Sequence, residues 1–322
     1  MNVKSFLKLV EIQTKVASMV PFALGSAYVF YRFHVFNALN CVLMLVSLLF
    51  VDMATTTINN LLDYKKANKK EGYGFEKHNA IVKYNMKEST VVGVIVALML
   101  VAVTFGLLLF VNTNFNLIIL ALGGASFLVG VVYSFGPIPI SRTPFGELFS
   151  GGFMGLVIPF LAIYIHIYDQ NLIGFTIDPA TGLFTLSLQL KELAFIFLLS
   201  VPVAGGIANI MLANNICDME EDLENHRYTL PIYIGKTKAL RVFSGLYVIG
   251  YAAILALVVF GGAPIVSLIM LATIPIVVQH LKIFYKKQSK QETFALSVKN
   301  LLLMNVILTL SIVIAIVADV IF

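Results

Sequence analysis

An all-α polytopic membrane protein of nine transmembrane helices is the fold class that this 322-residue sequence predicts, on three observations. Hydrophobic residues make up 59% of the chain and charged residues 12%, against roughly 45–50% and about 25% in soluble globular proteins. The apolar residues fall in runs of about 20, the length that crosses ~30 Å of hydrocarbon. Lys and Arg gather in alternate connections between those runs, as the positive-inside rule requires of a multi-pass protein. A soluble chain of this size could not hide every run in one core.

Along the chain, spans are expected at 16–33, 38–62, 90–111, 116–134, 147–168, 192–217, 238–260, 263–281 and 300–321, all in one domain covering 1–322. Ahead of the first span, residues 1–15 carry Lys4, Lys8, Glu11 and Lys15 with no A-x-A-like site after them, so no cleavable signal peptide is expected. With a cytoplasmic N-terminus, 20 of the 22 Lys and Arg residues lie inside and only Arg32 and Lys191 lie outside. The expected location is therefore the cytoplasmic membrane, with the working face on the cytoplasmic side. The outer connections, such as Asn112–Asn116 and Gly261–Ala263, are short or uncharged, apart from 169–191. The inner ones are long and polar, where functional residues usually sit on a rigid scaffold. The net charge of +5 belongs to these loops, so no nucleic acid is expected as a partner, and no obligate protein partner is evident. Cys41 and Cys217 are expected to be free thiols.

The second span ends in Asn59-Asn60-Leu61-Leu62-Asp63 and the sixth in Asn214-Asn215-Ile216-Cys217-Asp218. Both are even-numbered spans running the same way, so the two copies of N-N-h-x-D meet one membrane face, as in a parallel internal repeat. A spacing of four puts Asn59 and Asp63 on one side of the second helix, and Asn214, Asp218 and Asp222 likewise along the sixth. Carboxylates and amide carbonyls are the oxygen ligands of Mg²⁺, which commonly takes one or two carboxylates plus substrate phosphates. Lys65, Lys66, Lys69 and Lys70 follow the first cluster and Arg227 the second. Acids beside cations match the charge pattern of a metal–diphosphate complex. The plain alternative is a set of solvated groups at helix ends, and the lysine run also serves topology. Asp52 lies mid-helix, where a charge costs roughly 2.5–3.5 kcal/mol on insertion. It shares a face with Thr56, Asn59 and Asp63 and reads equally as a substrate-binding group or an interhelical hydrogen bond.

These motifs resemble the UbiA superfamily of intramembrane aromatic prenyltransferases, whose members have nine helices and two aspartate-rich motifs. The first corresponds to Asn59–Lys66 and the second to Asn215–Asp222. The menaquinone branch, which prenylates 1,4-dihydroxy-2-naphthoate, is the most similar. Its N-N-I-x-D-x-E-x-D segment matches Asn214 to Asp222, followed here by Thr229-Leu230 and Ile234-Gly235. Its Y-[ST]-x-G-P-x-P segment matches Tyr133 to Pro139, with Gly146-Glu147 after it. The first motif departs from the family form: Asn60 stands where Asp is common, and Ala67 and Asn68 occupy the region of the last acid.

The resemblance implies transfer of a polyprenyl group from its diphosphate to an aromatic acceptor. It implies Asp63, Asp218 and Asp222 as Mg²⁺ ligands, helped by Asn59, Asn60, Asn214 and Asn215. Lys66 and Arg227 would meet the pyrophosphate, Tyr133 (or Phe135) an allylic cation, and Arg142 the acceptor carboxylate. Alternative readings keep the fold with 4-hydroxybenzoate, haem or a chlorin as acceptor, or make the chain a cation-coupled secondary transporter or a scaffold without chemistry. The transporter reading rests on Asp52 and on Pro202 with Gly205-Gly206 in the sixth span. His166 and Asp319 are assigned no role.

Overall fold

The computed structural model describes residues 1–66, 79–136, 139–179 and 181–321. The chain opens with α1 (Val3–Leu9), whose first turn is closed by a reciprocal pair of hydrogen bonds between Asn2 and Ser5. After a 3₁₀ turn at Ile12–Lys15 come α2 (Val16–Phe33), α3 (Ala38–Lys66), the short α4 (Ala80–Lys83), α5 (Glu88–Asn112) and α6 (Leu117–Ser134). Next is α7 (Gly146–Ile167), which contains a π turn at Phe153–Val157, and then an antiparallel hairpin of β1 (Ile173–Ile177) and β2 (Phe184–Leu188). The second half comprises α8 (Leu190–Cys217), the short α9 (Met219–Glu224) and α10 (Leu230–Ile234), α11 (Lys236–Val259), α12 (Ile265–Lys286, its first half 3₁₀) and α13 (Ala295–Ile321).

Eight of the described helices are long and apolar enough to cross a membrane. The ninth expected span, 16–33, forms the 18-residue α2. Pro21, Tyr28, Tyr31 and Arg32 dilute its apolar character, but it packs within the bundle against α7 and α13. Apolar side chains such as Leu100, Leu128 and Val248 point outward from the bundle, as lipid-facing residues do.

The packing that matters for the site is between α7 and α8. Gly151 and Gly155, four residues apart, face Ala204 and Ala208; a Cβ on Gly155 would lie 2.2 Å from the Ala204 Cα. Small residues at this spacing let two membrane helices approach backbone to backbone. The close approach fixes the start of α7 beside the end of α8. The helices α3 and α8 have largely different neighbours: α3 lies chiefly on α5 and α6, α8 on α11, α7 and α13. Both also touch α2 and α7, which stand between them.

Candidate active site

From α3 to α8 the chain makes four crossings, so the two helices run in the same direction and their C-terminal ends reach one membrane face. At the end of α3, Asn59 and Asp63 are exposed, and the Asn59 side-chain amide donates to Asp63 Oδ2 at 3.1 Å. Asn60 turns the other way. It is buried, and its Nδ2 donates to the Leu9 carbonyl at 2.9 Å and more weakly to Glu11, while its own carbonyl accepts from Asn79. Asn60 thus ties α3 to α1. Lys65 pairs with Glu88 of α5 at 3.1 Å. The Lys66 side chain, and Lys69, Lys70, Ala67, Asn68 and Glu71, lie outside the described residues.

Asp52 belongs to the same junction with the N-terminal segment. Its Oδ1 accepts from the buried Lys15 ammonium at 2.6 Å and its Oδ2 from the Ser18 hydroxyl, and Lys15 also donates to Thr56. A carboxylate this deep is tolerable because it is paired and hydrogen-bonded. These contacts carry the interhelical reading of Asp52.

The second cluster is built differently. The sequence puts Asn214, Asp218 and Asp222 along one helix, but α8 ends at Cys217 and a separate α9 begins at Met219. Asp218 sits at the joint with φ −101° and ψ 10°. Electrostatics favours the break. Glu220, Glu221 and Asp222 would crowd the negative end of one long helix, whereas here they occupy the first turn of a new one. The i→i−4 bonds Asp218 N–Asn214 O (3.0 Å) and Asp222 N–Asp218 O (2.7 Å) carry the path through the joint and keep the acids adjacent.

Both acids are buried and matched by cations. Asp218 pairs with Lys290 from the α12–α13 connection, and Asp222 with Arg227 at 3.3 Å, its other oxygen accepting from Thr229 at 3.1 Å. Burial holds the Asp222 carboxyl above the usual carboxylate range. Arg227 and the Thr229 hydrogen bond counter that rise, Asp218 adds to it, and Lys290 opposes it. Asn215, fully buried, donates from Nδ2 to Glu147 Oε1 at 2.8 Å. Among the described residues, the buried atoms Asn215 Oδ1 and Glu147 Oε2 have no hydrogen-bond partner. Asn214, half-buried, directly precedes Asn215 in the chain.

The segment carrying Arg142 lies against this cluster. The Tyr228 amide donates to the Arg142 carbonyl at 3.2 Å, and Arg227 reaches toward the Ser141 carbonyl. Tyr133, in the last turn of α6, sits beside the start of α7, its hydroxyl 3.7 Å from where a Cβ on Gly146 would stand. Phe135 is exposed, and Pro137 and Ile138 lie outside the described residues.

Two residues of the cluster carry no site signal in the sequence. Glu147 appears there only as the end of a motif, and nothing marks its bond to Asn215, 68 positions away. Lys290 is one of five basic residues between the expected spans 263–281 and 300–321, with no local mark that singles it out.

Oxygen donors paired with cations suit Mg²⁺ and diphosphate chemically, and Asn215 Oδ1 and Glu147 Oε2 add two buried oxygens without a hydrogen-bond partner. The expected three-acid ligand set is not assembled, however. Among the described residues no three His, Cys, Asp or Glu side chains come close enough to hold a metal ion. Asp218 and Asp222 each pair with a cation, and Asp63 stands on another helix.

The sequence model of the UbiA prenyltransferase family matches residues 18–307. The 1,4-dihydroxy-2-naphthoate octaprenyltransferase of Bacillus subtilis (strain 168) is 29% identical over 282 residues, covering 87% of this chain and 82% of that protein. Among solved structures, a UbiA homolog from Aeropyrum pernix K1 in its apo form superposes with a TM-score of 0.66 at 18% identity, over 92% of this chain and 98% of that one. A UbiA homolog from Archaeoglobus fulgidus bound to GPP and Mg²⁺ gives 0.63 at 13% identity, over 98% and 99%. At these identities the structures speak for the fold alone. The family match, spanning nearly the whole chain, decides the assignment: this multi-pass membrane protein belongs to the UbiA prenyltransferase family.

Proposed function

We propose that the chain transfers a polyprenyl group from polyprenyl diphosphate to 1,4-dihydroxy-2-naphthoate in menaquinone synthesis, at a Mg²⁺-dependent site on the cytoplasmic side of the cytoplasmic membrane. The single observation that carries this reading is the buried Asp218–Asp222 cluster with its two cations and its orphaned Asn215 and Glu147 oxygens. The similarity to the B. subtilis octaprenyltransferase supports the choice of acceptor. The placement of Lys and Arg supports the orientation.

Asp63 with Asn59 on one helix end, and Asp218, Asp222, Asn214 and Asn215 on the other, would hold Mg²⁺ together with the diphosphate oxygens. A few carboxylates on each side suffice, because Mg²⁺ takes substrate phosphates and water for the rest of its shell. When bound, the metal offsets diphosphate charge and makes pyrophosphate a better leaving group. Arg227, Lys290 and Lys66 would carry the remaining phosphate charge. As the C–O bond breaks, the ring of Tyr133 would face the developing allylic cation. The electron-rich ring carbon of the acceptor attacks that cation, forming the C–C bond. Loss of CO₂ from the acceptor carboxylate, with no net release of a proton and no change of oxidation level, then gives demethylmenaquinol, the reduced form of demethylmenaquinone. Arg142, whose backbone abuts the Arg227 segment, would pair with the acceptor carboxylate.

The test is mass analysis of products after purified protein in vesicles meets farnesyl to octaprenyl diphosphates, the naphthoate acceptor and Mg²⁺. A prenylated, decarboxylated naphthoquinol that disappears with EDTA is expected. Product on 4-hydroxybenzoate alone would overturn the acceptor. Solute uptake without covalent product would overturn the reaction.

A further inference from the structure

The connection between α7 and α8 forms a two-stranded sheet with two unlike faces. Directly opposed residues of an antiparallel pair lie on the same face. The register Ile173–Leu188 and Phe175–Leu186, with Phe184 two residues from Leu186, therefore gathers apolar residues on one side. Gly174–Ser187 and Thr176–Thr185 occupy the other. Among the described residues of this side, only Ile173 packs on the bundle. Leu172 is buried in the bundle core, Ile173 packs on it, and the Gln189 amide staples the root by donating to the Leu172 carbonyl. Leu188, opposite Ile173, and Phe175, Phe184 and Leu186 further along are 43–59% exposed.

A two-stranded hairpin needs a further layer against its apolar face to be stable in water. The position of this one says what the layer is. The hairpin starts six residues after α7 ends at Ile167 and stops two residues before α8 begins at Leu190, so its root is held where two spans leave the bilayer. Leu183 and Leu190, which flank β2 in sequence, are both more than 60% exposed. The helix α8 has 28 residues, about 42 Å at 1.5 Å each, which exceeds the ~30 Å hydrocarbon core. The hairpin at its start and Asp218 past its end therefore lie on opposite membrane faces.

We infer that the hairpin is a membrane-surface element: its Phe175/Phe184/Leu186/Leu188 face lies in the lipid interface of the leaflet opposite the Asn/Asp clusters, and its Thr/Ser face meets water. The polar turn, where Thr181 donates to Asp178 Oδ2 at 2.6 Å, keeps the tip closed and wettable.

The chain has no Trp, so one substitution gives a single fluorescent reporter. Phe184→Trp and, separately, Thr185→Trp are placed in phosphatidylethanolamine–phosphatidylglycerol vesicles with and without acyl chains brominated near the headgroup. Emission of the Phe184→Trp variant is expected to be blue-shifted from free tryptophanamide, quenched by the brominated lipid and protected from iodide. The Thr185→Trp variant is expected to show the reverse. Iodide quenching of Phe184→Trp with no effect of bromine would place the apolar face in water and overturn the inference. So would protection of its indole that vanishes as protein is diluted in lipid, because a second copy would then be the cover. Equal lipid quenching of the two variants would overturn the two-faced orientation.

Discussion

The two copies of N-N-h-x-D are nearly the same in sequence and quite different as physical objects. In the first, Asp63 is exposed and the second Asn of the pattern, Asn60, is spent on fastening α3 to the N-terminal helix. In the second, Asp218 and Asp222 are buried with cations of their own, and the corresponding Asn215 bonds to Glu147. The pattern fixes where oxygen donors leave a helix. The neighbouring helices decide whether those donors are organised in advance. For the proposed reaction, the difference assigns a preformed half-site to the end of α8 and a more open, solvent-facing one to the end of α3. Preformed donors in a dry setting contribute more, because they need no reordering as charge develops.

The largest expected effect tests this asymmetry directly. Asp218→Asn and Asp222→Asn should each lower kcat/KM by about 10²–10³-fold, the range seen for removing one organised electrostatic partner. Asp63→Asn should cost about tenfold less than either, since an exposed charge is screened by water and salt. Steady-state kinetics in vesicles compares the three. Equal losses at all three positions would break the comparison, and wild-type activity in both Asp63→Asn and Asp218→Asn would sink the site altogether.

The next effect concerns what supports the first half-site. Lys15→Met leaves Asp52 in the bundle without its cation and should cost about 3 kcal/mol of stability, the low end for breaking a buried pair. The Lys15→Met/Asp52→Leu double variant should recover most of that loss, since removing both charges also removes the desolvation cost. Thermal unfolding in detergent measures both. A double variant that is stable and fully active would fix Asp52 as a packing group. One that is stable but has lost cofactor or substrate affinity would return it to the site.

Glu147→Gln follows in size. The variant keeps the shape of the side chain but can present an amide to Asn215, letting the Asn215 amide reverse. The Mg²⁺ concentration for half-maximal activity should rise by about 10–100-fold, as expected when a group that orients a ligand is changed. Thermal stabilisation by Mg²⁺ in the absence of substrate should weaken in parallel, which a purely structural role would not produce. An unchanged Mg²⁺ dependence would remove Glu147 from the supporting set.

How much of this could be read from the sequence follows from the range of the interactions. The spans are legible because a bilayer imposes one length on every crossing, and apolar runs of that length stand out; the run at 90–111 becomes α5, Glu88–Asn112. The break at Asp218 is not legible from a spacing of four, which looks alike in one helix and in two joined ones. Lys290 and Glu147 escape as site residues because they meet the second cluster across 72 and 68 positions of chain. The hairpin is legible in principle. Phe184-Thr185-Leu186-Ser187-Leu188 alternates with period two, but a window of span length averages that alternation away.

The smallest effect separates pattern from role most sharply. Asn60 occupies the position equivalent to Asn215, and the sequence places both in the substrate-binding set. The structure puts the Asn60 amide on the Leu9 carbonyl at 2.9 Å, inside the junction of α1 and α3. Asn60→Ala leaves that buried acceptor short of a donor and should cost about 1–2 kcal/mol of stability. It should leave the KM for prenyl diphosphate and the Mg²⁺ dependence near their original values, because the ligands proposed from α3 are Asn59 and Asp63, which bond to each other and not to Asn60. Asn215→Ala should do the opposite, shifting the Mg²⁺ dependence upward. If the two alanine variants move the same kinetic constant by the same factor, the repeat is functional at both positions and the α1 contact is incidental. If they divide between melting temperature and metal dependence, the two halves of the repeat have taken different work, one in holding the fold and the other in holding the ligand.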